Sequence, residues 1–404
     1  MKYLFSKSMV SLRRNSFWLL FARISAQGLA VVFIALVARK LTTASFGQFT
    51  FIAAVVLIGN TFTTFGTDTL LIREIAKAGH VTVLVARAFT LQIILSAIWC
   101  FVTILFRMDT ALLIFSFSLF PLALFSIVSA LLRAYERMDL FWGVSLINGL
   151  VQILGAAFSS DLLTLCTFLL IGNIITSFLA LRILSILMPD FSLFSFLDFR
   201  PLLPMVLPFA VLTTLSVLAQ RLGVLSVSLL VGDIAAGLFS SAARVVEGMK
   251  LGHFAVLGAL LPALSRKAVN SIQSYRVALI GLIIISAFLA IVAMFFAQPI
   301  LHLLFGEKYI IAENLLVVLV WSLIPYTISA FVSVDLVAHG REVVLLGATS
   351  ISLVVSLVLC ILLIKYYGLP GAAWAVLAGE IIQAIILIQT SGVFRTSEVS
   401  QETQ

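Results

Sequence analysis

The chain has 404 residues, of which 62% are hydrophobic and only 10% charged, with a formal net charge of +8 at pH 7. A soluble globular domain carries about 25% charged residues, so a surface of this composition could not face water. Apolar runs of about 20 residues recur from end to end, long enough to cross a bilayer core and unlike the short alternating segments of a membrane β-barrel.

The first run, SFWLLFARISAQGLAVVFIALVA at 16–38, is too long for a signal-peptide core and has no small-residue cleavage pattern after it, so it reads as a retained span. Further spans are expected near 46–68, 86–106, 110–132, 140–158 and 162–186. A break follows at MPDFSLFSFLDFRPLLP, and spans resume near 203–231, 234–262, 276–298, 310–337, 343–364 and 369–391. The fold class is therefore an all-α integral membrane protein with about twelve transmembrane helices. The break divides it into two six-helix bundles, 1–190 and 203–392, joined by a cytoplasmic linker at 191–202 and followed by a cytoplasmic tail at 393–404.

Lysine and arginine in the short loops set the orientation. One side holds Lys2, Lys7, Arg13, Arg14, Arg73, Lys77, Arg87, Arg133, Arg137, Arg182, Arg200, Arg266, Lys267, Arg276, Arg341 and Arg395. The other holds only Arg39, Lys40, Arg107, Lys308 and Lys365. Both termini are expected in the cytoplasm. No basic run stands outside the membrane flanks, so nucleic acid is not an expected partner. Cys100, Cys166 and Cys360 all lie in apolar runs, and their odd number and wide spacing read as small buried hydrophobes rather than a disulfide framework or metal cluster.

Two segments repeat. LTTASFGQFTF at 41–51 and LVGDIAAGLFSS at 230–241 each close one apolar run and open the next, with Gly47 and Phe49 spaced like Gly237 and Phe239. YYGLPGAAWAV at 366–376 is a looser third copy. Repeated halves are a common transporter design with the substrate site between them, although shared turn chemistry would give the same pattern.

Charges at bilayer depth cost about 2.5 to 3.5 kcal/mol each on insertion scales, so they face a cavity or one another. Arg23, Arg221, Arg244 and Lys250 are so placed, as are Asp68, Glu247, Asp335 and Glu380. Steps of three residues put Arg244 and Lys250 on the same helical face as Glu247, which can pair well with only one of them and leaves about one net positive charge. Gln27 follows Arg23 by one turn and Gln220 adjoins Arg221. A cationic cavity suits an anionic substrate, because the planar fork of arginine binds phosphate through two bonds. The alternative is that these cations pair with Asp68, Glu247 or Glu380 and lock the bundle. Asp68 reads either as a cap for the amphipathic segment after it or as an ion-coupling site. Glu380 reads as an ion-coupling site or as a bond to a neighbouring span. His253, one turn past Lys250, is a further candidate for the cavity wall.

No G-x-x-x-x-G-K-[ST], H-E-x-x-H, G-x-S-x-G or paired-cysteine motif occurs, and most loops are too short for an extramembrane catalytic domain. An enzyme is not expected, nor is a cofactor, a metal or a catalytic residue.

The stretch NSFWLLFARISAQGLAVVFIALVARKLTTASFGQFTFIAAVVLIGNTFTTFGTDTLLIREIAKAG resembles the start of the polysaccharide/O-antigen flippases of the MOP (MATE-like) superfamily. LLVGDIAAGLFSSAARVVE, GALLPALSR, PILHLLFGEKYIIAENLL and YYGLPGAAWAVLAGEII follow in that family's order. The resemblance implies two bundles around a central cavity lined mainly by spans 1, 2, 7 and 8. It also implies alternating access that carries a polyprenyl-(pyro)phosphate-linked oligosaccharide across the plasma membrane for polysaccharide biosynthesis. Arg23, Arg221, Arg244 and Lys250 would then hold the pyrophosphate, Glu247 would orient the last two, and Gln27 and Gln220 would bond sugar hydroxyls. Expected partners are the lipid-linked oligosaccharide, membrane lipids, and the glycosyltransferases and polymerase of the same pathway, with the flippase acting as a monomer. Many relatives carry an acid shortly after the span-7 arginine, where this chain reads QRLGVLS with Gly223. Alternatives are a lipid II flippase, a multidrug/cation antiporter, or a non-transporting membrane scaffold of glycan assembly, whose charges should be mutually paired.

Overall fold

A computed structural model describes residues 2–78, 82–106, 108–187, 198–265 and 271–391. Side chains are described from Trp18 onward, except at 19, 20, 23, 76–78, 251–265, 271–276, 338 and 391. No strand occurs among the described residues. The first helices are α1 (Lys2–Lys40), α2 (Thr43–Thr64), α3 (Thr67–Ala78), α4 (Thr82–Leu105), α5 (Thr110–Ser116), α6 (Leu119–Ala134), α7 (Met138–Phe158) and α8 (Leu162–Leu187). The remainder are α9 (Leu203–Leu230), α10 (Asp233–Ser265), α11 (Ser271–Phe295), α12 (Ala297–Phe305), α13 (Glu313–Leu319), α14 (Leu323–Ala338), α15 (Glu342–Tyr367) and α16 (Leu369–Ser391).

Ten helical stretches among the described residues are long and apolar enough to cross a membrane, and each coincides with an expected span. The other two expected spans, 16–38 and 234–262, fall in α1 and α10, both helical there. The protein is a multi-pass membrane protein.

Three local departures from the expected spans have plain causes. The span expected at 110–132 is broken between α5 and α6, because Pro121 has no N–H to give the carbonyl of Phe117 and its ring crowds that carbonyl. Pro325 stands in the same relation to Trp321, where a 3-10 turn at Val320–Ser322 separates α13 from α14. Residues 297–305, of which 299–305 are expected between spans, form α12, whose Ala297, Leu301 and Phe305 recur every four residues and bury a single stripe.

The chain divides into two compact units, one of Met1–Thr42 with Ile52–Val217 and one of Thr43–Phe51 with Leu218–Gln404. The bundle border expected at 190 and the tail at 393–404 lie outside the described residues.

The first unit has a core of Leu70, Leu71 and Ile75 from α3, Val85 and Leu91 from α4, Ile127 and Leu131 from α6, and Leu184 from α8. The amphipathic segment after Asp68 is thus a helix that buries Leu70, Leu71 and Ile75 in this core. Along α1 and α7, Trp142 Nε1 donates to Ser25 Oγ at 3.0 Å. Lys40 donates to the carbonyls of Ala156, Ala157 and Ser159. Those are the orphan acceptors at the negative end of α7, which explains a lysine there.

Asp161 caps α8, its carboxylate accepting from the Thr164 N–H at 2.7 Å. These hydrogen bonds hold its carboxyl below the usual aspartate range. Its contribution is therefore present above the unfolded-state value and lost as pH falls through the folded one. Asp161→Ala should lower the thermal midpoint at neutral pH, and its difference from the wild type should shrink as the pH falls below the ordinary aspartate value, as scanning fluorimetry over an acid pH series would show.

In the second unit the repeated segments meet. A Cβ on Gly47 would lie 1.8 Å from the Asp233 carbonyl oxygen, and one on Gly237 would lie 2.4 Å from that of Thr43. Ser240 Oγ donates to Thr50 Oγ1 at 2.9 Å, and these residues too hold corresponding places in the two copies. Small residues recur in both segments because two backbones cross there at contact distance. Phe46 seals the crossing, its ring centroid 5.5 Å from that of the fully buried Tyr309.

Candidate functional site

On α10, Ala236, Phe239, Ala242, Val245 and Val246 are buried. That leaves Arg244 and Glu247 on a flank that is only partly covered. The three-residue step does bring them together, with Arg244 Nη1 2.9 Å from Glu247 Oε2. On α9, Leu222, Val224 and Val227 pack inward while Arg221 reaches α10 and places its Nη1 2.7 Å from Glu247 Oε1. One carboxylate therefore bridges two guanidiniums, one oxygen to each. The Arg221 side chain keeps 12% of its surface exposed and Glu247 33%. Arg221 Nε is buried and has no hydrogen-bond partner among the described residues.

Lys250 departs from the expected competition for Glu247. Its flexible four-carbon stem carries Nζ to Glu380 Oε1 on α16, at 2.8 Å, with both side chains only 18% exposed. The ammonium also lies 4.1 Å from the ring centroid of Tyr326 on α14, a cation–π contact. Glu380 is thus bonded to a neighbouring helix. Tyr326 joins the site unannounced, since an aromatic in an apolar span carries no signal of such a role.

Three cations and two acids make up this cluster, so complete pairing still leaves one positive charge in excess. The alternative expectation of mutual pairing describes the contacts themselves, while the excess charge is what a cationic site requires.

Gln220 is exposed on α9, and Gln27 is partly exposed on α1 in the first unit. The side chains of Arg23 and His253 lie outside the described residues. Asp68 stands in the first turn of α3, where the positive helix end favours an acid. Its carboxylate accepts from Ser126 Oγ and from Arg133 Nη2, the latter at 3.4 Å.

Residues 12–268 match the model of a family described as Polysaccharide biosynthesis protein. Over 146 residues the chain is 28% identical to the Probable low-salt glycan biosynthesis flippase Agl15 of Haloferax volcanii, a match covering 34% of this chain and 30% of that protein. The lipid II flippase MurJ in an inward closed conformation is similar with a TM-score of 0.77 at 17% identity, over 93% of this chain and 87% of MurJ. An inward-facing multidrug resistance MATE family transporter of the MOP superfamily gives 0.71 at 16% identity, over 93% and 99%. At these identities the likeness to both structures is one of fold. The proteins matched by name are flippases and transporters, not enzymes.

Proposed function

Because the chain belongs to the polysaccharide biosynthesis protein family, we propose that it is a flippase carrying a polyprenyl-(pyro)phosphate-linked oligosaccharide across the plasma membrane by alternating access. The observation that carries this reading is the Arg221–Glu247–Arg244 bridge, with Lys250 beyond it, holding one positive charge in excess at membrane depth. The lipid tail stays in the bilayer while the charged head and sugars cross, which requires cations that can trade partners. We further propose Arg23, Gln27 and Gln220 as substrate contacts, the two glutamines to sugar hydroxyls, and both termini in the cytoplasm. The protein works as a monomer beside the glycosyltransferases and polymerase of its pathway. Asp68 and Glu380 are the carboxylates for a coupling ion, and each would first release Arg133 or Lys250.

A multidrug antiporter suits this site poorly, since cationic ligands need an acidic cavity and the excess here is positive. A non-transporting scaffold is the second reading, favoured by the pairing of every described cation in the cluster.

Translocation of lipid-linked oligosaccharide in proteoliposomes separates the two, with wild type measured beside Arg244→Ala and Arg23→Ala. Wild-type transport, reduced at least tenfold in folded variants, is expected; that factor corresponds to about 1.4 kcal/mol of lost binding to the moving head group. A wild type that moves nothing under any ion gradient, with variants that only lose thermal stability, would put the scaffold first.

A further inference from the structure

We infer that Glu247 is a resident counter-anion which occupies the place of the substrate's diphosphate, so that loading the carrier is an exchange of one anion for another. The inference rests on the flippase reading above.

The geometry is that of a partly used anion site. Each guanidinium gives Glu247 a single Nη, at 2.7 Å from Arg221 and 2.9 Å from Arg244, rather than the paired donors of a fork. In this arrangement each carboxylate oxygen serves one arginine, and neither contact is a two-bond one. Arg221 Nε is the donor this leaves over, buried and without a partner among the described residues. A diphosphate has acceptor oxygens on two phosphorus centres, enough to take Nε and Nη of Arg221 together and still reach Arg244.

Arg221 is the deep member of the bridge, with 12% of its side chain exposed, against 28% for Arg244 and 33% for Glu247. An incoming anion can therefore displace the carboxylate while the deeper arginine stays in place. Lys250, three residues further along the same face, offers the displaced carboxylate another cation. The exchange keeps both arginines partnered in either state. An alternating-access carrier needs this, because it must reset empty through a medium that penalises bare charge.

A competitor and an orienting strut predict opposite signs. The test uses the full chain in nanodiscs, titrated with geranyl pyrophosphate by isothermal calorimetry, with thermal unfolding of each variant as the check on folding. Glu247→Gln should bind about tenfold tighter than wild type, since the charged competitor is gone, and Arg244→Gln about tenfold weaker. Glu247→Asp keeps the charge but is one methylene too short to span both arginines, so it too should bind tighter, and it serves should Glu247→Gln fail to fold. Folded Glu247 variants that bind more weakly, as Arg244→Gln does, overturn the exchange and make Glu247 an orienting residue, leaving the flippase reading intact. No binding by any folded protein, wild type included, overturns the diphosphate site and the exchange together.

Discussion

A Lys250→Met protein should lose about 3 to 5 kcal/mol of stability, because it strands the Glu380 carboxylate in surroundings that leave it 18% exposed. The ammonium it removes lies 2.8 Å from Glu380 and 4.1 Å from the Tyr326 ring centroid, so no short-range cation replaces it among the described contacts. Adding Glu380→Leu should recover most of that loss, since an apolar pair of similar volume is neutral or stabilising by roughly 1 to 4 kcal/mol relative to a buried ion pair. Thermal unfolding of the three proteins in nanodiscs measures this cycle. The double variant then isolates function from folding. If Lys250 or Glu380 takes part in transport, the restored protein should transport at least tenfold more slowly than wild type. Wild-type transport by the double variant would reduce the pair to a strut between α10 and α16.

Gly47→Ala should cost about 3 kcal/mol or more, at the upper end of what a single added carbon does in a packed interior. The new methyl would sit 1.8 Å from the Asp233 carbonyl oxygen and 2.8 Å from the Gly237 nitrogen, and both are backbone atoms that no rotamer change can move aside. The crossing of α2 and α10 would have to open, and the Ser240–Thr50 hydrogen bond would stretch with it. Gly28→Ala is the matched control, because a Cβ there meets nothing within 4 Å. That change should be neutral or stabilising by up to about 1 kcal/mol, as alanine is the better helix former. Equal thermal midpoints for the two variants would show that the close crossing is not a constraint.

Ten apolar spans were legible in the sequence because membrane helices are locally determined. In lipid each segment must satisfy its own backbone hydrogen bonds, so length and apolarity alone specify the element. The interruptions at Pro121 and Pro325 are also local chemistry, written in residues that need no partner to act. The helix α12 was not legible, for at nine residues it falls below any span-sized window. The shared face of Arg244 and Glu247 followed from helical geometry, which fixes neighbours three residues apart wherever the helix lies. Which acid each remaining cation would choose did not follow. Arg221 reaches Glu247 across 26 residues and Lys250 reaches Glu380 across 130. Several embedded acids were chemically equivalent candidates, and only the packing of α9, α10 and α16 makes two of them near. The meeting of Gly47 with Gly237 is of the same kind: the repeat marked both positions, but why both must be small is a property of two backbones in contact. Sequence thus determined the spans and the shared face of Arg244 and Glu247 on α10, each set within a single segment. Tertiary structure decided the partners of Arg221 and Lys250, because contact between segments depends on how their faces are brought together.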